Sequence, residues 1–184
     1  NLMATMLKNC YSDVDCEVYL DDFIIISGGS LSRHLEAVDT LDRMATEVGL
    51  PFKQEKSTTA KQQVEYIGFV INSARMTSVL RQVKTEDLIS ELEWATHHIQ
   101  QCGSRQSLDL HRLHSIRGKL AHAAQVHRAA KPFSRSLSQL LHHPSLPHTL
   151  TEECIADMQI WHHTLLHSTG EAMATAPDPR GSRV

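Results

Sequence analysis

Apolar positions along the chain follow two different periods, and the change falls near Val83. Before it, short apolar runs are separated by polar turns. Leu2, Met3, Met6 and Leu7 share one helical stripe, which reads as the tail of a helix. Residues 9–15 are a polar connection. Cys16-Glu17-Val18-Tyr19-Leu20 and Phe23-Ile24-Ile25-Ile26 then flank Asp21 and Asp22, the pattern of a β-hairpin with acids at its tip. Ser27 to Ser30 form a loop, and Ser30 or Ser32 can cap a helix whose inward face is Leu31, Leu35, Val38, Leu41, Ala45 and Val48. Gly49 and Pro51 end it. Residues 64–71 are β-rich, and Asn72-Ser73 turns the chain towards 76–80, giving a second hairpin in which Gly68 marks a close approach.

From Lys84 the period is 3.6. Thr85 is placed to cap a helix with Leu88, Leu92, Ala95 and Ile99 inside, stopped by Gly103. Ser107 is placed to cap the next, with Leu110, Leu113, Ile116, Leu120 and Ala123 inside. Gly118 interrupts that helix at about 1 kcal/mol against alanine, which close packing or a nearby phosphate backbone would explain. Pro132 opens a short helix carrying Phe133, Leu137, Leu140 and Leu141. Pro144 and Pro147 break the chain, and Thr149 with Glu152 forms a capping-box pattern before Cys154, Met158, Trp161 and Leu165. The expected fold class is α+β: β-hairpins with one packed helix over 1–83, an all-α unit over 84–168, and a disordered tail over 169–184.

Composition narrows the class. Four cysteines without a Cys-x-x-Cys pair imply a reduced, intracellular setting, and no apolar run is long enough to span a membrane. The chain opens at Asn1, inside what reads as a helix, and is expected to be part of a longer protein. Its net charge of −3 conceals an asymmetry. Residues 103–135 hold Arg105, Arg112, Arg117, Lys119, Arg128, Lys131 and Arg135 against the single acid Asp109, a local +6 beside −9 elsewhere. A basic stretch of this kind fits a phosphate backbone, or a solvated helix face.

Two adjacent carboxylates on a tight turn repel each other unless a cation lies between them, and a hard ion such as Mg²⁺ prefers such oxygen ligands. Tyr19-Leu20-Asp21-Asp22 between apolar strands resembles the active-site hairpin in the palm of reverse transcriptases. Gly49-Leu50-Pro51-Phe52 leading to Lys56-Ser57 resembles the next palm motif. Val64-Glu65-Tyr66-Ile67-Gly68-Phe69 resembles the primer grip, in the same order. Ile116-Arg117-Gly118-Lys119-Leu120 and Arg128-Ala129-Ala130-Lys131-Pro132-Phe133 are similar to the region after the palm in DIRS-type (tyrosine-recombinase) retroelement polymerases.

The resemblance implies a partial polymerase palm followed by a thumb-like helical unit, in a retroelement enzyme that makes DNA on an RNA template. It implies two Mg²⁺ ions, dNTP and a primer–template duplex as partners. Asp21 becomes the main catalytic metal ligand and Asp22 a second catalytic metal ligand or an orienting neighbour, and Lys56 a proton donor to pyrophosphate. Tyr19, Tyr66, Ile67 and Gly68 become primer contacts, and Arg112, Arg117, Lys119 and Arg128 backbone contacts, with Arg112 and Lys119 the safest pair. The family's further metal-binding Asp and its dNTP-binding fingers belong to an upstream segment outside these 184 residues, so this polypeptide alone is expected to be inactive. The alternative is a non-catalytic nucleic-acid-binding or scaffolding remnant. His111 with His114, and His163 with His167, have helical ligand spacing. No third and fourth ligand accompanies them, so structural zinc is not expected.

Overall fold

The computed structural model describes residues 2–58, 60–102, 109–142, 150–168 and 171–172. They form an α+β structure divided into two compact units, residues 1–67 with 71–74, and residues 68–70 with 75–184. The division lies ahead of the boundary expected at Val83.

In the first unit, helix α1 (Leu2–Cys10) leads into strands β1 (Val14–Tyr19) and β2 (Asp22–Ser27), which pair antiparallel from Val14↔Ser27 to Tyr19↔Asp22. Helix α2 (Leu31–Glu47) follows, then a 3₁₀ turn at Gln54–Lys56 and strand β3 (Gln63–Tyr66). Ser30 caps α2, its hydroxyl accepting the Arg33 amide. Gly49 at φ +79 ends it, with Leu50 N donating to Ala45 O at 2.8 Å and Gly49 N to Thr46 O at 3.0 Å. These two bonds satisfy carbonyls that the last turn would otherwise leave open. Ala4, Leu7, Val14, Cys16, Ala37 and Leu41 form the core, with Val18, Phe23, Ile25 and Phe52 packed against it.

Helix α2 is turned from the face expected of it. Ala37, Leu41 and Ala45 are buried, whereas Leu31, Leu35, Val38 and Val48 are exposed. At 100° per residue, Leu31, Leu35 and Val38 lie roughly 60–120° round from Leu41. Polar contacts explain the rotation. Tyr11 Oη lies 2.9 Å from Thr40 Oγ1, and Ser27 Oγ lies 2.8 Å from His34 Nδ1. Facing Leu31 and Leu35 inward would break both.

Strand β4 (Phe69–Asn72) has residues in both units, and in the second unit β5 (Thr77–Leu80) pairs antiparallel with β6 (Glu171–Ala172). Residues 171–172 are thus a strand where a tail was expected. Instead of one hairpin over 64–80 there are three short strands, because Ile67 and Gly68 both take positive φ and insert an additional turn. Helices α3 (Gln82–Cys102), α4 (Leu110–Ala123), α5 (Arg135–His142) and α6 (Glu152–His167) bury most of the positions the spacing predicts; Leu110, Phe133 and Leu141 are half-buried, and the side chain of Ile99 lies outside the described residues. Inside are Leu88, Leu92 and Ala95, then Leu113, Ile116, Leu120 and Ala123, then Leu137 and Leu140, then Cys154, Met158, Trp161 and Leu165. Phe69 stacks on His122 at 4.4 Å. The fully buried Trp161 satisfies its indole N–H on Ser134 Oγ at 3.0 Å.

Caps differ from expectation. Helix α3 starts three residues before Thr85, whose hydroxyl donates to Arg81 O inside the first turn. Asp109 caps α4, and Thr151 caps α6. Ser107, Thr149, Gly103, Pro144, Pro147 and the tail from 173 lie outside the described residues, as does Arg105. A Cβ at Gly118 would meet nothing within 4 Å, so close packing within its unit is not what favours glycine there.

Leu41→Ala is expected to cost roughly 2–5 kcal/mol, and Leu35→Ala less than about 1 kcal/mol, in urea unfolding followed by far-ultraviolet circular dichroism. Equal losses at the two positions would contradict the rotation of α2.

Candidate active-site hairpin and basic face

The tip of the first hairpin is a two-residue turn, Leu20-Asp21, closed by the Tyr19↔Asp22 pair. Leu20 takes φ +54 and is 82% exposed. A leucine gains nothing from that conformation, which costs about 1–2 kcal/mol for an L-residue. The turn therefore rests on the strands beneath it. Asp21 occupies the turn and Asp22 begins β2, both exposed. The sequence reading placed these two acids at a hairpin tip, and the structure does so too. Among the described residues, no ion pair joins a cationic side chain to either acid. Their carboxylates are hard oxygen donors, the type Mg²⁺ takes one or two at a time beside substrate phosphates. No group of three or more His, Cys, Asp or Glu side chains assembles for a metal among the described residues.

The base of the hairpin is tied down by charge. Lys8 Nζ lies 2.5 Å from Asp15 and 3.0 Å from Glu17 on the outer side of β1. The hydrogen bond to Asp15, then that to Glu17, raises the Lys8 pKa, and the bond from Lys8 lowers that of Asp15. Cys16 points the other way, into the core, and burial pushes its thiol up.

Tyr66 reaches back to this tip. Its hydroxyl donates to the Asp22 carbonyl at 3.4 Å. Burial first, then the charges of Asp22 and Glu17, raise its pKa. It braces the acidic turn through main chain. Lys56 ends the 3₁₀ turn, exposed, its amide bonded to Lys53 O at 2.9 Å. Ile67 at φ +44 and Gly68 at φ +90 form the turn after β3. A side chain at Gly68 would run into that of Lys84. The close approach expected at Gly68 is thus a flexible lysine.

Residues 1–71 match the family model for reverse transcriptase (RNA-dependent DNA polymerase). The matched segment carries the Asp21-Asp22 turn, α2, β3 and the Ile67-Gly68 turn. The retrovirus-related Pol polyprotein from transposon gypsy of Drosophila melanogaster is 35% identical over 69 residues, which is 38% of this chain. The chain spans 7% of the length of that relative.

In the second unit the basic residues separate into two groups. Arg112 Nε lies 2.6 Å from Glu91 Oε2, with its guanidinium 3.7 Å above the centre of the Trp94 ring. Lys119 Nζ lies 2.8 Å from Asp87 and 3.4 Å from Glu91. Desolvation pulls the Lys119 pKa down, but the Asp87 hydrogen bond and the charges of Glu91 and Asp87 outweigh it and leave the pKa raised. The two residues expected to be safest for phosphate contact are thus the two whose charges α3 already compensates. Arg117 donates to Ser138 Oγ at 3.1 Å, without a carboxylate partner in that bond. Arg128 begins a 3₁₀ segment, Arg128–Ser134.

Sequence reasoning followed the basic residues of α4 and passed over Asp87, Glu91 and Trp94. Their spacing of four and three residues places them on one face of α3, beside the buried Leu88-Leu92-Ala95 stripe. That periodicity was the signal available.

Glu91, only 18% exposed in its side chain, serves two cations. Glu91→Ala is expected to destabilise the second unit by about 1–3 kcal/mol, and Asp87→Ala, at an exposed pair, by under about 1 kcal/mol. Guanidinium unfolding followed by tryptophan fluorescence measures both, since both tryptophans lie in this unit. A null effect at Glu91 would remove the bridging role.

Proposed function

We propose that this chain is part of the reverse transcriptase of a retroelement, with residues 1–71 contributing the part of the palm that carries the acidic hairpin. The observation that carries the reading is the Leu20-Asp21 turn, which sets two adjacent carboxylates beside Tyr19 inside the segment that matches the reverse transcriptase model. Asp21 and Asp22 are the residues that would hold Mg²⁺. Bound there, the metal supplies charge neutralisation and Lewis acidity to phosphoryl transfer between a primer hydroxyl and a dNTP. The chain's own part is to hold the acids at a fixed tip. Tyr66 braces Asp22, Lys8 ties the strand below, and Tyr19 stands exposed beside the turn as a surface for a terminal base. Lys56, which with Ser57 closes the motif that begins at Gly49, is assigned the proton for the leaving pyrophosphate.

The helical unit is assigned as thumb-like and DIRS-like on the strength of the Ile116–Leu120 and Arg128–Phe133 motifs, with Ile67 and Gly68 meeting the primer. Arg128 is assigned as a backbone contact, and Arg117, bonded to a neutral hydroxyl, is a better one than Arg112 and Lys119, which would first have to leave Glu91 and Asp87. The 184 residues contain two of the carboxylates that a two-metal polymerase uses, and polymerisation needs the third.

Three measurements test this reading. Mn²⁺ should broaden the amide resonances of residues 19–23 in the nuclear magnetic resonance spectrum, and Asp21→Asn with Asp22→Asn should abolish the broadening. The purified chain should incorporate no dNTP on a primed RNA with Mg²⁺, and incorporation lost on Asp21→Ala would refute that. Duplex binding should weaken with salt at a log–log slope of about −0.9 per neutralised phosphate. Arg117→Ala should flatten that slope by roughly 1 unit, and Arg112→Ala with Lys119→Ala by well under about one. Equal flattening in an anisotropy salt series would put all three on the duplex.

A further inference from the structure

Helix α6 buries Cys154, Met158, Trp161 and Leu165, and presents His163 and His167 on another side, one turn apart. Their rings meet edge to face with centroids 4.1 Å apart, and the two Nδ1 atoms are 3.0 Å apart. His167 Nδ1 also lies 2.8 Å from the His163 carbonyl oxygen. A carbonyl only accepts, so the hydrogen belongs to His167 Nδ1, and the lone pair of His163 Nδ1 faces it. Two imidazole nitrogens therefore converge on one proton. A metal ion that binds both takes the place of that proton.

The separation also selects the ion. With metal–nitrogen bonds of about 2.05 Å, two nitrogens 3.0 Å apart subtend about 94° at the metal. That is the angle between neighbouring ligands of a square-planar or octahedral ion. A tetrahedral ion needs the nitrogens about 3.35 Å apart at the same bond length. Imidazole suits Ni²⁺ and Cu²⁺, whereas Mg²⁺ and Ca²⁺ want oxygen.

The surroundings leave space. The pair lines an open concavity of about 660 Å³ with Ala156, Gln159, Ile160, Thr164 and Ser168. Among the described residues no lysine, arginine or acid lines it, so none of their ammonium or guanidinium groups competes for the nitrogens. Gln159 stands one turn before His163 on the same row and lines the same concavity. His162, next in sequence, is turned away to Glu93 on α3 at 3.1 Å.

We propose that His163 and His167 form an open two-imidazole site for a borderline divalent transition-metal ion, Ni²⁺ or Cu²⁺ in class, on the exposed side of α6. With two protein nitrogens and no closed set of four, the ion is exchangeable and keeps positions for water or an external ligand. The site is independent of the acidic hairpin, differs from it in ligand type, and is not a structural zinc centre.

Calorimetric titration of the tag-free chain with NiCl₂, in a buffer that does not bind metals, tests the site. One ion should bind per chain with no competition from Mg²⁺. His163→Ala and His167→Ala should each weaken binding on the order of 10²-fold, because each removes the intramolecular second contact. His162→Ala should leave the affinity unchanged and controls for histidines in general. With Cu²⁺, electron paramagnetic resonance should show coupling to two imidazole nitrogens, falling to one in either variant. Unchanged Ni²⁺ affinity in His163→Ala, or Zn²⁺ binding tighter than Ni²⁺, would overturn the proposal.

Discussion

A leucine held at φ +54 closes the hairpin on which the first unit depends. Leu20 buries almost nothing, so its side chain cannot offset the conformational cost. The offset comes from below, where Val14 and Cys16 pack against Leu7, Ala37 and Leu41 and fix the register of β1 on β2. Register matters because strand side chains alternate in direction. A slip of one residue would turn Cys16 outward and Glu17 inward, and would exchange the positions of the two acids at the tip. The strained turn and the buried cysteine are in this sense one constraint seen at two ends of the strand.

The elements whose period was dictated by burial alone were legible in the sequence. Helix α6 buries the residues its spacing names, and α4 all of them but the half-buried Leu110 at its start, because nothing polar on those faces competes with the apolar stripe. The hairpin was legible for a related reason, since two apolar runs with acids between them have few other ways to pair. Helix α2 was misread by a rotation. Its apolar residues spread over about half the circumference, and periodicity cannot choose among them. Thr40 and His34 make the choice by reaching Tyr11 and Ser27, and partners so far away in sequence leave no local signature. The turn at Ile67-Gly68 was hidden because isoleucine seldom takes positive φ.

Charge was harder to read than packing. A run of basic residues in sequence looks like a field, but a field depends on what faces it. Asp87 and Glu91 come from a different helix and precede the basic run by some twenty residues, so a count along the chain assigns them to the acidic remainder. Folding brings them against Arg112 and Lys119. Local excess then shrinks without any change in composition. The same reasoning applies at β1, where Lys8 sits between Asp15 and Glu17. It also accounts for why the Asp21-Asp22 tip stands out in the first unit, as a carboxylate pair that no lysine or arginine ion pair claims among the described residues.

Cys16 gives the hairpin a chemical clock. Its thiol is 1% exposed, and its pKa is raised by burial, so it reacts with an alkylating reagent only after β1 has parted from the helices that cover it. Cys10, exposed at the end of α1, reacts without that step. The ratio of the two labelling rates is then a measure of how often the sheet beneath the acidic turn opens. An adduct on Cys16 would not fit back into the core, and a chain marked there has lost the footing that holds Leu20 in place.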